Sequence, residues 1–399
     1  MNFSYTKIGD IAEVTKLAGF EFTKYIEYVE DGEIIALRAL NLRNGELDLT
    51  DVKRIRRDVS DTLKRSKLFK NDILLTYTGN GYGDCAYIEE NDKYHLAPNI
   101  CKLSPDETKV DPYYLYAVIR DKYFRELMKN YIGGSSQPTI PMKTIRILEI
   151  PLPDLSIQKK IGGVIRVLDE KCRNNRKINE NLEQQAQAYF QNLFIDNANS
   201  EWVQGTISDL GTVVGGSTPS KSKPEYYTKD GIAWITPKDL SINKAKFISH
   251  GENDITELGL KNSSASVMPE GTVLFSSRAP IGYIAITSGK VTTNQGFKSV
   301  VPKPEIGTAF VYYFLKYNLP IIEGMASGST FKEVSGSTMK NISAVIPDTK
   351  TLGFFRDFCA PIFAQQKILE EQNQSLSTLR DSLLPKLMSG EINVSDVRF

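Results

Sequence analysis

The feature that most constrains the fold of this chain is an internal repeat, in which residues 1–195 resemble residues 196–399. Each copy contains a late Pro-Asp pair, beginning at Pro153 and at Pro347. A repeat of this length predicts two similar globular units, each with its own core, rather than one large domain. Matching positions, in chain order, are Phe3 with Trp202, Ile8 with Ile207, Asp10 with Asp209, Arg38 with Lys238, and Leu40 with Leu240.

Within each copy a β-rich stretch comes first and a long helical pattern follows. Runs such as Ile73 to Thr78 and Val273 to Ser277 are typical of strands, and Pro112 to Tyr131 is typical of helix. The pattern predicts mixed α/β (α+β) domains, each followed by a long helix. The predicted organisation is domain 1 at residues 1–154, a central helix at 155–195, domain 2 at 196–348, and a C-terminal helix and tail at 349–399.

The two helical segments carry mainly apolar residues at seven-residue intervals, over more turns than an ordinary helix of ~11 residues contains. We therefore predict that they pair with each other. Asparagine at such a seam can fix the register, which is the role we predict for Asn179 and Asn373; a frayed polar seam is the alternative. Gly162-Gly163 and Pro361 predict kinks or later helix starts. The predicted pairing residues are Leu168, Asn175, Asn179, Leu182, Leu369, Asn373, Leu376 and Leu383.

Composition and patterning exclude several classes of protein. No stretch approaches 18 uncharged apolar residues, and the first ten residues lack a signal-peptide pattern, so we expect a cytoplasmic protein without a membrane span. The four cysteines form no C-x-x-C pair and only two histidines accompany them, so no metal site is predicted. The net charge of +1 by itself favours no class of partner.

The sequence also offers no catalytic motif. Gly79, Gly81 and Gly83 follow an apparent strand, but the next residues resemble another strand, whereas a cofactor-binding turn precedes a helix. The tetrapeptide of adenine methyltransferases, a P-loop and a nucleophile elbow are all missing from the sequence. We therefore predict no catalytic residue and no cofactor in this chain.

Four segments together carry a family resemblance: Ile150 to Ile161, Leu168 to Lys171, Ile178 to Leu182, and Leu379 to Ile392. Over its whole length the chain resembles the DNA specificity subunit of type I restriction-modification systems. The last of the four segments is similar to the C-terminal signature of that family almost letter for letter.

This resemblance implies two target-recognition domains, each reading one half of an asymmetric split site in double-stranded DNA. They would be held apart by an antiparallel coiled coil with pseudo-twofold symmetry. The resemblance also implies a non-catalytic subunit that recruits two adenine-methyltransferase subunits, with restriction subunits as optional further partners. S-adenosylmethionine, ATP and Mg²⁺ would belong to those partners. The alternative is a coiled-coil interaction scaffold with two ligand-binding domains and no DNA target.

Side-chain chemistry indicates which residues could contact DNA. Between Asp51 and Lys70 there are eight basic and three acidic residues, which indicates either a DNA-binding surface or a solvated helix face. Arginine and lysine suit phosphates or guanine, and amides suit adenine. The first-domain candidates are Arg54, Arg56, Arg57, Arg65, Asn80, Tyr82, Ser135, Ser136 and Gln137. The second-domain candidates are Lys221, Lys223, Lys238, Arg278, Asn294, Gln295, Ser329, Thr330 and Lys332.

Overall fold

A computed structural model describes residues 3–131, 138–328 and 332–394. The chain divides into two compact units: the first comprises residues up to Cys172 and from Gln374 onward, and the second runs from Arg173 to Asn373. Each unit therefore combines one globular domain with a portion of both long helices. Within the described ranges, no helix has both the length and the apolar character needed to cross a membrane.

The elements of the first repeat follow in chain order. The strands are β1 (Ser4–Lys7), β2 (Ala12–Lys16), β3 (Ile34–Leu37), β4 (Leu42–Arg43), β5 (Glu46–Leu47), β6 (Lys53–Ile55), β7 (Ile73–Thr76), β8 (Cys85–Tyr87), β9 (Tyr94–Leu96), β10 (Ile100–Pro105) and β11 (Glu149–Leu152). The helices are α1 (Ile8–Ile11), α2 (Gly19–Tyr25), α3 (Arg57–Thr62), α4 (Pro112–Arg120), α5 (Lys122–Lys129), α6 (Met142–Ile147) and α7 (Leu155–Gln191).

The second repeat uses a similar order of elements. The strands are β12 (Val203–Thr206), β13 (Gly211–Gly215), β14 (Tyr227–Thr228), β15 (Ile232–Ile235), β16 (Phe247–Ile248), β17 (Asn253–Ile255), β18 (Val273–Ser277), β19 (Ile281–Thr287), β20 (Thr292–Thr293), β21 (Lys298–Pro302) and β22 (Ser343–Ile346). The helices are α8 (Ile207–Leu210), α9 (Pro237–Ile242), α10 (Glu257–Lys261), α11 (Thr308–Tyr317), α12 (Leu319–Gly324), α13 (Gly336–Lys340) and α14 (Thr349–Ser389).

The first domain is built around the antiparallel sheet β2-β10-β7-β8. Ile73 and Leu75 join a core that includes α4 and the start of α7, while Leu74 joins a second core with strands β3 and β9. Because neighbouring side chains of a strand point to opposite faces, β7 is buried on both sides. That is why its sequence is a continuous apolar run rather than an alternating one.

The second domain repeats this plan with the sheet β13-β21-β18-β19-β16. Val273 and Phe275 face the core that contains α11 and the long helices, and Leu274 faces a core formed with Ile235 of strand β15. The mixed helix and strand content predicted from the sequence is therefore confirmed in both repeats.

Within each unit the long helices α7 and α14 run antiparallel, as predicted. In the second unit the Asn175 amide donates to Asn373 Oδ1 (3.0 Å), and Gln366 donates to the Asn179 carbonyl (3.2 Å). In the first unit Asp169 of α7 contacts Arg380 of α14 (3.0 Å). Residue numbers thus rise along one helix as they fall along the other.

The predicted pairing residues differ in their surroundings. Asn175 is fully buried and Leu369 nearly so. Asn179 does not face Asn373; its partner across the seam is Gln366. Those that are half-buried are Leu168, Asn179, Leu182, Asn373, Leu376 and Leu383.

The expectation of later helix starts is wrong, because α7 already begins at Leu155 and α14 at Thr349. The alternative, a kink at Gly162-Gly163 or at Pro361, stays a prediction. Gly162 lies inside α7, where a Cβ atom would stand 2.5 Å from the Asp111 carboxylate. Asp111 caps α4 by accepting the Tyr114 N–H (2.8 Å). The glycine therefore permits a close approach between the start of α4 and the long helix.

Candidate nucleic-acid interface

A basic ridge in the first domain is formed by strand β6, helix α3 and the short turn that follows. Arg56, Arg57 and Arg65 are exposed on it. Arg54 is half-buried, and its guanidinium donates to the Gly32 carbonyl (3.2 Å). The Arg56 guanidinium makes a long contact with Asp58 (3.5 Å), which is exposed as well. The ridge thus presents three arginine side chains to solvent, while Arg54 supports the strand.

The glycine-rich loop joins β7 to β8, as the sequence predicted for a turn between strands. Its backbone is closed by hydrogen bonds from Tyr82 N to Gly79 O (3.1 Å) and from Gly83 N to Thr76 O (2.9 Å). Asn80 is exposed at the tip, and the Tyr82 ring packs against the first core. The loop leads into a strand, which is the wrong context for a dinucleotide turn.

The second domain contains a cleft of about 560 Å³ that brings together four predicted contacts from three separate segments: Lys221, Lys238, and the adjacent Asn294 and Gln295. Gln295 is exposed and accepts a hydrogen bond from the Thr218 hydroxyl. The remaining lining residues are Thr218, Tyr227, Trp234, Thr236, Asp239, Glu252 and Asn253.

Acidic residues organise this cleft, and the sequence analysis missed them. Asp239 accepts the Thr236 N–H (2.7 Å) at the start of α9, and its other oxygen accepts the Glu252 N–H (2.8 Å). The Glu252 carboxylate pairs with Lys238 (2.6 Å), and this hydrogen bond raises the pKa of the lysine. The spacing of Thr236 and Asp239 is a helix-capping pattern that could have indicated the turn.

Other predicted contacts lie outside the cleft lining. Arg278 stands on the β18–β19 turn, 3.4 Å from Glu333, which also pairs with Lys298 (3.3 Å). Lys223 and Lys332 are exposed. The candidates outside the described residues are Ser135, Ser136, Gln137, Ser329 and Thr330.

Equivalent capping hydrogen bonds show which residues of the two domains correspond. The Arg38 N–H donates to Asn41 Oδ1 (3.0 Å), just as Thr236 N–H donates to Asp239 Oδ2 (2.7 Å). The structure therefore matches Arg38 with Thr236 and Asn41 with Asp239, so the sequence pairings of Arg38 with Lys238 and of Leu40 with Leu240 were both wrong by two positions. The error arises because corresponding loops differ in length in the two repeats.

The same comparison reveals a reversal of charge. Ile34 pairs with Ile55 in the first domain, and Ile232 pairs with Ile255 in the second, so strand β6 corresponds to β17. Where the first domain has a basic ridge, the second has neutral and acidic side chains. The corresponding pairs are Lys53 with Asn253, Arg54 with Asp254, Arg56 with Thr256, and Arg57 with Glu257.

A family model described as the type I restriction modification DNA specificity domain matches the chain twice, at residues 2–184 and 199–380. The chain belongs to this family. Each specificity-domain match covers one globular domain and continues into the long helix that follows it.

Named relatives agree with this assignment. The type I restriction enzyme MjaIX specificity subunit of Methanocaldococcus jannaschii is 40% identical over 180 residues, which is 43% of this chain and 41% of that protein. The HindI specificity subunit of Haemophilus influenzae is 24% identical, and the match covers 94% of this chain and 96% of the relative.

Solved structures show a shared fold. The crystal structure of the type I restriction-modification S subunit from M. genitalium matches with a TM-score of 0.59 and 17% identity, covering 97% of this chain and 96% of the other. This chain therefore shares its fold with that S subunit.

Proposed function

We propose that this chain is the DNA-binding specificity subunit of a type I restriction-modification complex, and that each specificity domain reads one part of an asymmetric two-part site. The observation that carries the proposal is the pair of similar domains whose corresponding strands, β6 and β17, differ in charge. A dimer of two identical DNA-binding subunits binds a palindromic site. Two unlike copies of one fold instead suit two unlike half-sites.

In the first domain the basic ridge binds the DNA backbone. Arg56, Arg57 and Arg65 are exposed, and arginine forms charge-assisted hydrogen bonds with phosphate oxygens. Asn80, at the tip of the glycine-rich loop, offers an amide that can read a base edge. Binding through such a ridge weakens as salt rises, because each phosphate contact releases counterions.

In the second domain the cleft reads bases. The amides of Asn294 and Gln295 match the donor and acceptor pair of adenine, and the Glu252 carboxylate can accept the amino group of cytosine. Lys221 and Lys238 stand beside these groups and supply positive charge for phosphates. Arg278 offers a second contact point on the β18–β19 turn.

The chain has no catalytic role of its own in this proposal. Two methyltransferase subunits bind each specificity subunit and modify adenine with S-adenosylmethionine. Restriction subunits that use ATP and Mg²⁺ are optional further partners. The chain's contribution to the reaction is to choose the DNA site and to hold the partner enzymes there.

Mapping adenine methylation in cells with and without this gene tests the proposal. We expect deletion to remove methylation from one two-part motif, and a plasmid copy of the gene to restore it. Purified chain should also select a two-part duplex from a random library, with an affinity that falls as salt rises. An unchanged methylation map together with salt-independent or absent duplex binding would favour the scaffold alternative.

A further inference from the structure

A buried lysine joins the second specificity domain to both long helices. Lys246 directly precedes strand β16, and its side chain is 6% exposed. Its ammonium group pairs with Glu183 of α7 and donates to Gln366 Oε1 of α14 (2.8 Å). It also lies 3.1 Å from the Tyr313 hydroxyl of α11. A charge this deeply buried is stable only when it is paired and hydrogen-bonded, as it is here.

The backbone at the same point is fixed by a second helix residue. The Glu370 carboxylate of α14 accepts the N–H groups of Lys246 (2.9 Å) and Phe247 (3.0 Å). The Lys246 ammonium also lies 4.3 Å from the centre of the Phe363 ring, which is a cation–π distance. We call these contacts of Lys246 with Glu183, Gln366 and Glu370 the helix clamp.

The helix clamp holds the middle of a segment whose two ends line the DNA-reading cleft. The segment begins at Lys238 and returns to the cleft at Glu252, and these two residues are ion-paired. Between them, Phe247 of β16 pairs with Ile286 of β19. The cleft lining and the edge of the central sheet are therefore tied to the long helices at one position.

The first domain is also joined to both long helices by a buried ionic cluster, but different residues form it. Gly45 occupies the corresponding position beside strand β8, and its carbonyl accepts the Tyr116 hydroxyl. The cation here is Arg120 of α4, which pairs with Asp169 of α7 (2.9 Å), and Asp169 also accepts from Arg380 of α14 (3.0 Å). Each domain thus reaches both helices through a buried ionic cluster, although the residues are not conserved between the copies.

We propose that Lys246 is a positioning residue that sets the orientation of the second domain's cleft on the helix pair, and thereby the spacer length accepted between the half-sites. This inference rests on the proposed function. If α7 and α14 set the distance between the half-sites, the helix clamp fixes where along these helices the second domain's cleft meets DNA. Loosening the helix clamp should leave base reading intact and relax the choice of spacer.

The test compares Lys246→Met with Lys244→Met. Methionine keeps the apolar stem, and Glu183 retains Lys316 (2.7 Å) and Tyr313 (2.9 Å) as partners, so the variant should fold. Lys244 is exposed in the same loop and provides the matched control. Full-length proteins select duplexes that carry the two wild-type half-sites with spacers varied one base pair at a time. For Lys246→Met we expect discrimination against the neighbouring spacers to fall about tenfold, and for Lys244→Met no change.

The outcomes separate this inference from the proposed function. A folded Lys246→Met protein with wild-type spacer discrimination would overturn the positioning role, even if its melting temperature fell. If Lys246→Met does not fold, Glu370→Gln weakens the backbone contacts without removing the ion pair, and unchanged spacer discrimination in that variant overturns the role equally. A wild-type chain that selects no two-part site would instead contradict the proposed function.

Discussion

At the scale of single residues, two glycines in the long helices occupy opposite environments. A Cβ on Gly162 of α7 would stand 2.5 Å from the Asp111 carboxylate and 3.0 Å from the Tyr114 nitrogen. Apart from its chain neighbours and the adjacent backbone of its own helix, the nearest described atom to a Cβ on Gly353 of α14 would be an Arg356 nitrogen at 4.0 Å. Helix propensity favours alanine over glycine by about 1 kcal/mol at both positions. The effect of an added methyl group therefore differs between the two positions because of packing.

We expect Gly162→Ala to lower the free energy of unfolding by about 1–3 kcal/mol, because the added methyl group displaces the cap of α4. Gly353→Ala is the matched control and should raise it by up to about 1 kcal/mol. Urea unfolding followed by circular dichroism measures both changes. Equal effects of the two substitutions would show that α4 does not approach α7 closely at Gly162.

The sequence could predict only part of this residue-scale picture. The apolar heptad positions were visible, and Leu369 is buried as its spacing indicated. The buried polar residues Asp169 and Gln366 were not recognised, because their partners Arg120 and Lys246 come from distant segments. Propensity also suggested that Gly162 would delay α7, whereas tertiary packing makes it part of the helix.

At the scale of elements, the start of α14 is fixed by Asp348. Its carboxylate accepts the Thr351 N–H (2.9 Å), the Thr351 hydroxyl (2.8 Å) and the Trp202 indole N–H (3.0 Å). The hydrogen bonds from Thr351, and that from Trp202, lower the pKa of Asp348 from 3.8 to about 2. The residue links the helix cap to the beginning of the second domain.

Asp348→Ala should reduce stability by about 0.5–2 kcal/mol at neutral pH through loss of the cap. Because the folded-state pKa lies below the ordinary value, this contribution is present above about pH 4 and disappears as pH falls toward 2. Unfolding free energies of wild type and variant, measured from pH 7 to pH 2, should therefore converge at low pH. Asp357→Ala, an exposed change on the same helix, is the control; a gap that persists at pH 2 would contradict the pKa argument.

The basic ridge supplies a second prediction at this scale. Replacing Arg56 and Arg57 together by Gln should weaken duplex binding at low salt and reduce the slope of log affinity against log salt by about 1.8, at ~0.9 for each phosphate contact. The matched control replaces the exposed Lys7 and Lys159 by Gln, which removes the same charge elsewhere in the first unit. Equal slopes for the two double variants would identify the ridge as an ordinary solvated surface.

Elements themselves were easier to predict than the site. The strand predicted at Val273 to Ser277 has those bounds, and the one at Ile73 to Thr78 ends two residues earlier, at Thr76. The helical patch is two helices, because Asp121 ends α4 and caps α5. The cleft could not be predicted, since its walls come from distant segments whose positions depend on the sheet topology.

At the scale of the whole molecule, the repeat made the two-domain plan visible in the sequence, while the facing residues of the helix pair had to come from the structure. Asn373 contacts Asn175, and Asn179 contacts Gln366. The boundary between the two compact units lies after Cys172 in α7 and after Asn373 in α14. These two points are therefore the places where both helices can be lengthened without disturbing the interior of either unit.

If the helices set the distance between the half-sites, inserting seven residues after Cys172 and seven after Asn373 should lengthen the spacer. One heptad adds about 10 Å at ~1.5 Å per residue and keeps the seam in phase. At ~3.4 Å per base pair this corresponds to roughly three more base pairs, while the half-site sequences stay the same. Three base pairs also rotate one half-site by about 100° around the DNA axis, so affinity should fall even as the preferred spacer grows. Selection from duplexes with randomised spacers measures the preference. A heptad in α7 alone is the control and should abolish two-part selection, because it shifts the helices out of register. A folded double-insertion variant that still prefers the wild-type spacer would show that the helices do not set the distance between the half-sites.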